Sequence, residues 1–205
     1  MDADSSNALA AFGFLTVLES PEHGLFGGYL VLSPQGRPLE FRCSTPVAAS
    51  RAQEILYGPT LRPYLVAEVI GRALVAGAEL NAPIILTDQR DMLPLALLRP
   101  EELLYVEQLV CDDESPTPES PRRDSGPIGA PRDEATGAVS LIINGCQIFT
   151  SPTSTATALG LRAMLDPLAA HVFLVEPFER IRAALNEAQL ASQDDAEYRD
   201  DRAAA

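Results

Sequence analysis

The sequence predicts an α+β fold: an antiparallel β-meander packed with helices, then a hairpin-and-helix segment beyond a disordered linker. Three observations carry this. Runs rich in aromatic and β-branched residues at 12–19, 25–32 and 37–44 are separated by tight-turn signals. Helical patterns follow at 48–57 and 61–78. Residues 111–137 hold five prolines and seven acids against three arginines, a net of −4, and such a composition does not bury itself.

Each element has a local cause. The first strand, from Phe12 to Glu19, ends at Ser20-Pro21 and Gly24. The second, Leu25 to Leu32, meets Ser33-Pro34-Gln35-Gly36, with proline and glycine where a tight turn needs them. The third alternates, which predicts Leu39, Phe41 and Cys43 on the buried face and Glu40 and Arg42 on the outer one. In the helix over 48–57, Ala52, Ile55 and Leu56 share a stripe, and Gly58-Pro59 ends it. The next helix, Leu61 to Ala78, tolerates Pro63 in its first turn. Residues 82–87 read as a buried strand, Asp88 to Asp91 as a polar turn, and Met92 to Leu98 as a strand pairing back; residues 101–110 suit helix or strand equally. Asn144-Gly145, between two apolar runs, predicts a hairpin. Helices follow from Thr155, from an Asp166-Pro167 cap, and along Phe178, Ile181, Leu185 and Ala188. Residues 10–110 are thus expected to form the sheet-and-helix unit and 111–137 the acidic Pro/Ser-rich linker. Residues 138–190 are expected to form a hairpin plus helices, separate or part of the same core, and 191–205 an acidic tail.

Composition excludes several chemistries. The chain has 205 residues and no lysine; all 15 basic residues are arginine. A P-loop, a pyridoxal Schiff base and a protein-kinase site each need lysine, and arginine neither deprotonates nor shares its shape. The formal net charge is −14 and no segment is basic, so neither a nucleic-acid partner nor a membrane is expected. No run is apolar enough to span a bilayer, and the acidic start does not read as a secretory signal, so a cytoplasmic location is expected. Cys43, Cys111 and Cys146, with His23 and His171, show no metal-ligand spacing; no metal and no cofactor are predicted.

Three groups of residues remain as site candidates. Arg51, Tyr57, Arg62 and Tyr64 flank the Gly58-Pro59 break and, with Glu40 and Arg42 on the outer sheet face, could build a binding surface, since Arg and Tyr concentrate at binding hot spots. Asp88 and Asp91 follow a buried strand, the position where α/β enzymes place acids, and His23 beside Glu22 could serve as a general base. The glycine-rich 24–28 lies between strands rather than before a helix, which predicts a turn and strand start, not a phosphate cradle.

The meander (Gly27-Gly28-Tyr29-Leu30-Val31-Leu32, the Ser33–Gly36 turn, Arg37 to Phe41) followed by helices is similar in element order, over about residues 12–80, to profilin-like domains of the roadblock, longin and PAS type. That resemblance implies a sensor or dimerisation surface. With no catalytic constellation, no basic surface and no cofactor fingerprint in the sequence, the function expected is a non-enzymatic protein-interaction or regulatory module of the cytoplasm, with a protein partner or as a homodimer. The alternatives are a small hydrolase or metal-dependent enzyme using Asp88, Asp91 and His23, and a small-molecule sensor.

Overall fold

In the computed structural model, the described residues are 11–21, 23–109 and 139–203, with backbone alone beyond Gln189. The expected linker 111–137, Cys111 and Glu22 lie outside them. Among the described residues, seven strands form one mixed sheet: β1 (Phe12–Ser20), β2 (Gly24–Leu32), β3 (Pro38–Cys43), β4 (Ile84–Thr87), β5 (Glu102–Gln108), β6 (Ser140–Ile143) and β7 (Cys146–Thr150), in the order β3-β2-β1-β4-β5-β7-β6. The meander β1-β2-β3 is antiparallel. At β1 the pairing changes: β4 runs parallel to β1 and β5 parallel to β4, with Phe12 opposite Ile84 and Leu15 opposite Thr87. The hairpin of β6 and β7 adds antiparallel to β5 and turns at Asn144-Gly145, both at positive φ as such a turn requires. The architecture is α+β, as expected.

Both faces of the central strands are covered. Phe12 and Phe14 of β1, with Leu30 of β2 and Leu86 of β4, pack beneath α4 (Ala158–Ala169) and α5 (Glu176–Ala203), against Leu165, Phe178, Ile181 and Leu185. Their alternates Leu15, Val17, Tyr29 and Ile85 pack beneath the segment 61–77, against Leu65, Val66, Ile70 and Leu74. Burial on two sides explains why β1, β2 and β4 are nearly continuous apolar runs rather than alternating ones. Gly27 and Gly28 serve the two layers: a Cβ on Gly27 would overlap Ile70, and one on Gly28 would overlap Ile181. The glycine pair is therefore a packing device in mid-strand, not a ligand loop.

Several local expectations are corrected. Leu39 and Phe41 are 41% and 40% exposed and Cys43 is exposed, while Glu40 and Arg42 turn toward the C-terminal end of α3 (Arg72–Gly77). The reason is that β3 is an edge strand, and its polar alternates have ready-made partners in exposed backbone amides. Met92 to Leu98 is not a strand: Arg90–Leu97 is a 3-10 helix, burying Met92 and Leu95 over β4 and β5. Residues 102–108 are a strand. The helix from Leu61 is interrupted: after a short α2 (Leu61–Pro63), Tyr64–Gly71 is a π-helix and α3 resumes at Arg72. Asp166-Pro167 does not start a helix but lies inside α4.

Candidate functional site

The candidate site lies at the carboxyl ends of β1 and β4. In open α/β sheets, ligands collect outside the carboxyl ends of parallel strands, where the strand order changes direction. Here that point is β1, with β2 on one side and β4 on the other. The chain builds a wall beside it. Gly24, at φ +83°, lets β2 turn back close to Val47, and Leu25 and Val47 exchange backbone hydrogen bonds of 2.9 and 2.7 Å. Ser50 then caps α1 (Arg51–Tyr57): its hydroxyl accepts from the Gln53 amide, and the Gln53 side chain accepts from the Ser50 amide at 2.9 Å. Gly58, at φ +52°, ends the helix and Pro59 follows.

Between this wall and the end of β1 lies a groove of about 470 Å³. Leu25, Val47, Leu61 and Leu65 give it an apolar lining, and Glu19, Glu54 and Arg62 supply its charges. Arg62 is tied on two sides: Nη1 donates to Glu19 at 2.5 Å and Nε to Asp91 at 2.9 Å. On the same segment, the rings of Tyr57 and Tyr64 stack with centroids 4.7 Å apart and planes 29° apart. Tyr57 is 36% exposed. The neighbouring Tyr64 hydroxyl, then burial and the charge of Glu68, hold the Tyr57 hydroxyl above its ordinary range. Next to the groove, α5 reaches the end of β4: Arg182 pairs with Asp88 and, at 2.8 Å, with Glu179. Gln89 donates to the Val17 carbonyl, so the turn after β4 is fastened to β1.

Of the residues expected to form a binding surface, Arg62 lines this groove, while Tyr57 and Tyr64 stand next in sequence to Gly58 and Leu65 of its lining without lining it themselves. Arg51 stands on the same helix, paired with Glu54 at 2.8 Å. Glu40 and Arg42 are not part of it. Glu40 accepts from the amides of Glu79 and Leu80 at 3.0 and 2.9 Å and lies 3.5 Å from Arg42. Burial resists ionisation of Glu40, yet those amides and Arg42 outweigh it and hold its carboxyl below the usual range. The expected catalytic set does not assemble as a metal centre. Asp88 and Asp91 are each neutralised by an arginine, and among the described residues no three His, Cys, Asp or Glu side chains are grouped to hold a metal ion. His23 sits in the β1–β2 turn. Sequence reasoning missed Glu19 and Arg182, because their partners lie 43 and 94 residues away and no spacing signals them.

No helix among the described residues is long and apolar enough to cross a membrane. No protein-family model matches the chain, and no curated protein matches it. Solved structures do. They include endonuclease V of Ciona intestinalis in complex with a 24mer DNA containing an inosine followed by a ribo-adenosine, at 11% identity and TM-score 0.49. A second structure of that enzyme with a 23mer DNA matches at 11% identity and TM-score 0.44. Each match covers 88% of this chain and 87% of the other. The expectation of a non-enzymatic protein-interaction module with no nucleic-acid partner is contradicted by these neighbours, which are structures of endonuclease V in complex with DNA.

Proposed function

We propose that the chain binds single-stranded nucleic acid along the groove at the carboxyl end of β1, stacking a base on the Tyr57–Tyr64 pair. The observation that carries this reading is the pair itself: two rings already stacked, Tyr57 36% exposed, next in sequence to Gly58 and Leu65 of the groove lining. A base stacked on an aromatic side chain contributes about 1–3 kcal/mol whatever its identity. The reading rests on this chain's own surface; the DNA of the comparison structures is a ligand of those proteins.

Charge sets the character of the binding. The segment 51–72 holds three arginines against two glutamates, a local net of +1 in a chain of −14. Arg62 contacts a phosphate by exchanging one carboxylate partner for another anion, so little net charge is gained. Stacking therefore dominates, and salt dependence is shallow. With one phosphate engaged, log K falls with log salt at a slope of about −0.7. The reading is of binding rather than cleavage, because Asp88 and Asp91 are committed to Arg182 and Arg62.

The test is fluorescence anisotropy with short labelled oligothymidylates across a salt series. Binding with a slope near −1 or shallower is expected, and Tyr57→Ala is expected to weaken it by roughly 5- to 100-fold. Absence of binding even at about 20 mM salt, or Tyr57→Ala and Tyr64→Ala variants that bind like the parent, would overturn the proposal.

A further inference from the structure

We infer that Arg90, Tyr105 and Phe149 form a second stacking platform that carries the strand beyond the groove; this rests on the nucleic-acid reading above. The two faces of the outer sheet differ. On one, Leu104, Val106, Cys146 and Ile148 are covered by the layer of α4 and α5. On the other, the 3-10 helix Arg90–Leu97 shields β4 and β5 through Met92 and Leu95. Past β5, that helix contributes no further buried side chain among the described residues. Register places Tyr105 opposite Phe149 and Gln147 opposite Ile142 on this second face. Phe149 and Gln147 are half-buried there and Ile142 is 58% exposed.

What lies on the face is not a plain apolar patch. The Arg90 guanidinium lies 5.0 Å from the centroid of the Tyr105 ring, and that ring is 5.8 Å from Phe149 with planes 33° apart. Three planar groups thus follow one another from the end of β4 to β7. The Arg90 side chain is 67% exposed, so its outer flat face is free to stack while its nitrogens meet phosphate in place of Glu107, now at 3.2 Å. Gln147, on the same face as Phe149, supplies both a hydrogen-bond donor and an acceptor. Tyr105 itself is only 9% exposed beneath Arg90, so the open π-faces are those of Arg90 and Phe149, which with the Gln147 carboxamide match unpaired bases on a phosphate backbone.

One ion pair links the platform to the groove. Arg90 is adjacent in sequence to Asp91, and Asp91 holds Arg62 at 2.9 Å. From the end of β4 to β7 is two strand spacings, roughly 10 Å. A strand stacked on Tyr57 and Tyr64 would pass Arg62 and arrive at Arg90 and Phe149.

Anisotropy with oligothymidylates of two lengths, about 4 and about 12 nucleotides, reads the second platform separately from the first. The parent is expected to bind the longer strand roughly tenfold or more tighter than the shorter. In Phe149→Ala and in Arg90→Ala the two lengths are expected to bind alike, whereas Phe149→Trp keeps the gain, and thermal melts of each variant report folding. A parent with no length gain, or a gain that survives both alanine variants, overturns this inference while Tyr57-sensitive binding of the short strand leaves the groove standing. Failure of both lengths to bind overturns the two together.

Discussion

Gly28 is expected to be intolerant of even one methyl group. It lies in mid-β2, where a Cβ would overlap Ile181 Cγ2 and come within 3.2 Å of Leu185 Cδ1 and 3.3 Å of Leu185 Cγ. Ile181 is fully buried and β-branched, so its γ-methyl cannot swing aside without moving α5. Overpacking of this kind costs about 1–3 kcal/mol, against a gain of about 0.5–1 kcal/mol from replacing glycine by alanine in a regular element. Gly28→Ala should therefore lose about 1–2 kcal/mol, roughly 2–8 °C in Tm for a chain of this size. Urea unfolding, followed by circular dichroism, measures it directly. A double-mutant cycle isolates the cause: Ile181→Ala alone leaves a cavity, and in its presence the added methyl should become neutral or favourable, giving a coupling of at least ~1 kcal/mol. Gly28→Ala within about 0.5 kcal/mol of the parent, or strict additivity in the cycle, would refute the direct contact of α5 with β2 at this glycine.

Three further outcomes follow from the ion pairs and buried groups. Arg182→Met leaves the Asp88 carboxylate, whose side chain is only 13% exposed, without its cation; a loss of about 1–3 kcal/mol is expected, with Asp88→Asn in the same chain recovering part of it, and a denaturation midpoint unmoved by Arg182→Met would contradict this. Glu40 titrates below its ordinary range in the fold, so its contribution is present above the unfolded value, near 4.5, and is lost as pH falls through the lower folded value. Glu40→Gln should thus be less stable at neutral pH yet flatter through the acid limb of a urea-midpoint profile. Tyr29 is 1% exposed, and burial, then the charges of Glu101 and Glu40, push its hydroxyl well above 10. Its contribution is full below pH about 10 and is lost as pH rises from there through the folded value, so Tyr29→Phe should flatten the alkaline limb of the same profile.

Local chemistry made the meander and the second hairpin legible: Ser33-Pro34-Gln35-Gly36 and Asn144-Gly145 announce their turns within a few residues. Pairings of distant segments had no such signal. Nothing near Ile84 says that it lies beside Phe12, and parallel pairing leaves no turn to read. The apolar stretch from Met92 to Leu98 fits strand or helix by composition; Pro94 and the space over β4 and β5 decide for a 3-10 helix. On β3 the alternation was visible but its sense was not, because the polar face is satisfied by the amides of Glu79 and Leu80, 39 and 40 residues away from Glu40. At the candidate site the same division holds. Tyr57, Arg62 and Tyr64 stand within eight positions of one another and could be read together. Glu19, which pairs with Arg62 in the groove, and Arg182, which pairs with Asp88 beside it, come from opposite ends of the chain.

The position of β1 also sets a hazard during synthesis. Its hairpin partner β2 begins four residues after Ser20, so one side of β1 can be satisfied almost at once. The other side waits for β4, with forty residues between Cys43 and Ile84 still to be made. At 5–20 residues per second, that is roughly 2–8 s in which an apolar strand carrying Phe12, Phe14, Leu15 and Val17 shows an unpaired backbone edge to the ribosome's surroundings. Slow codons between 44 and 83 would lengthen that window and raise the aggregated fraction without altering the finished protein.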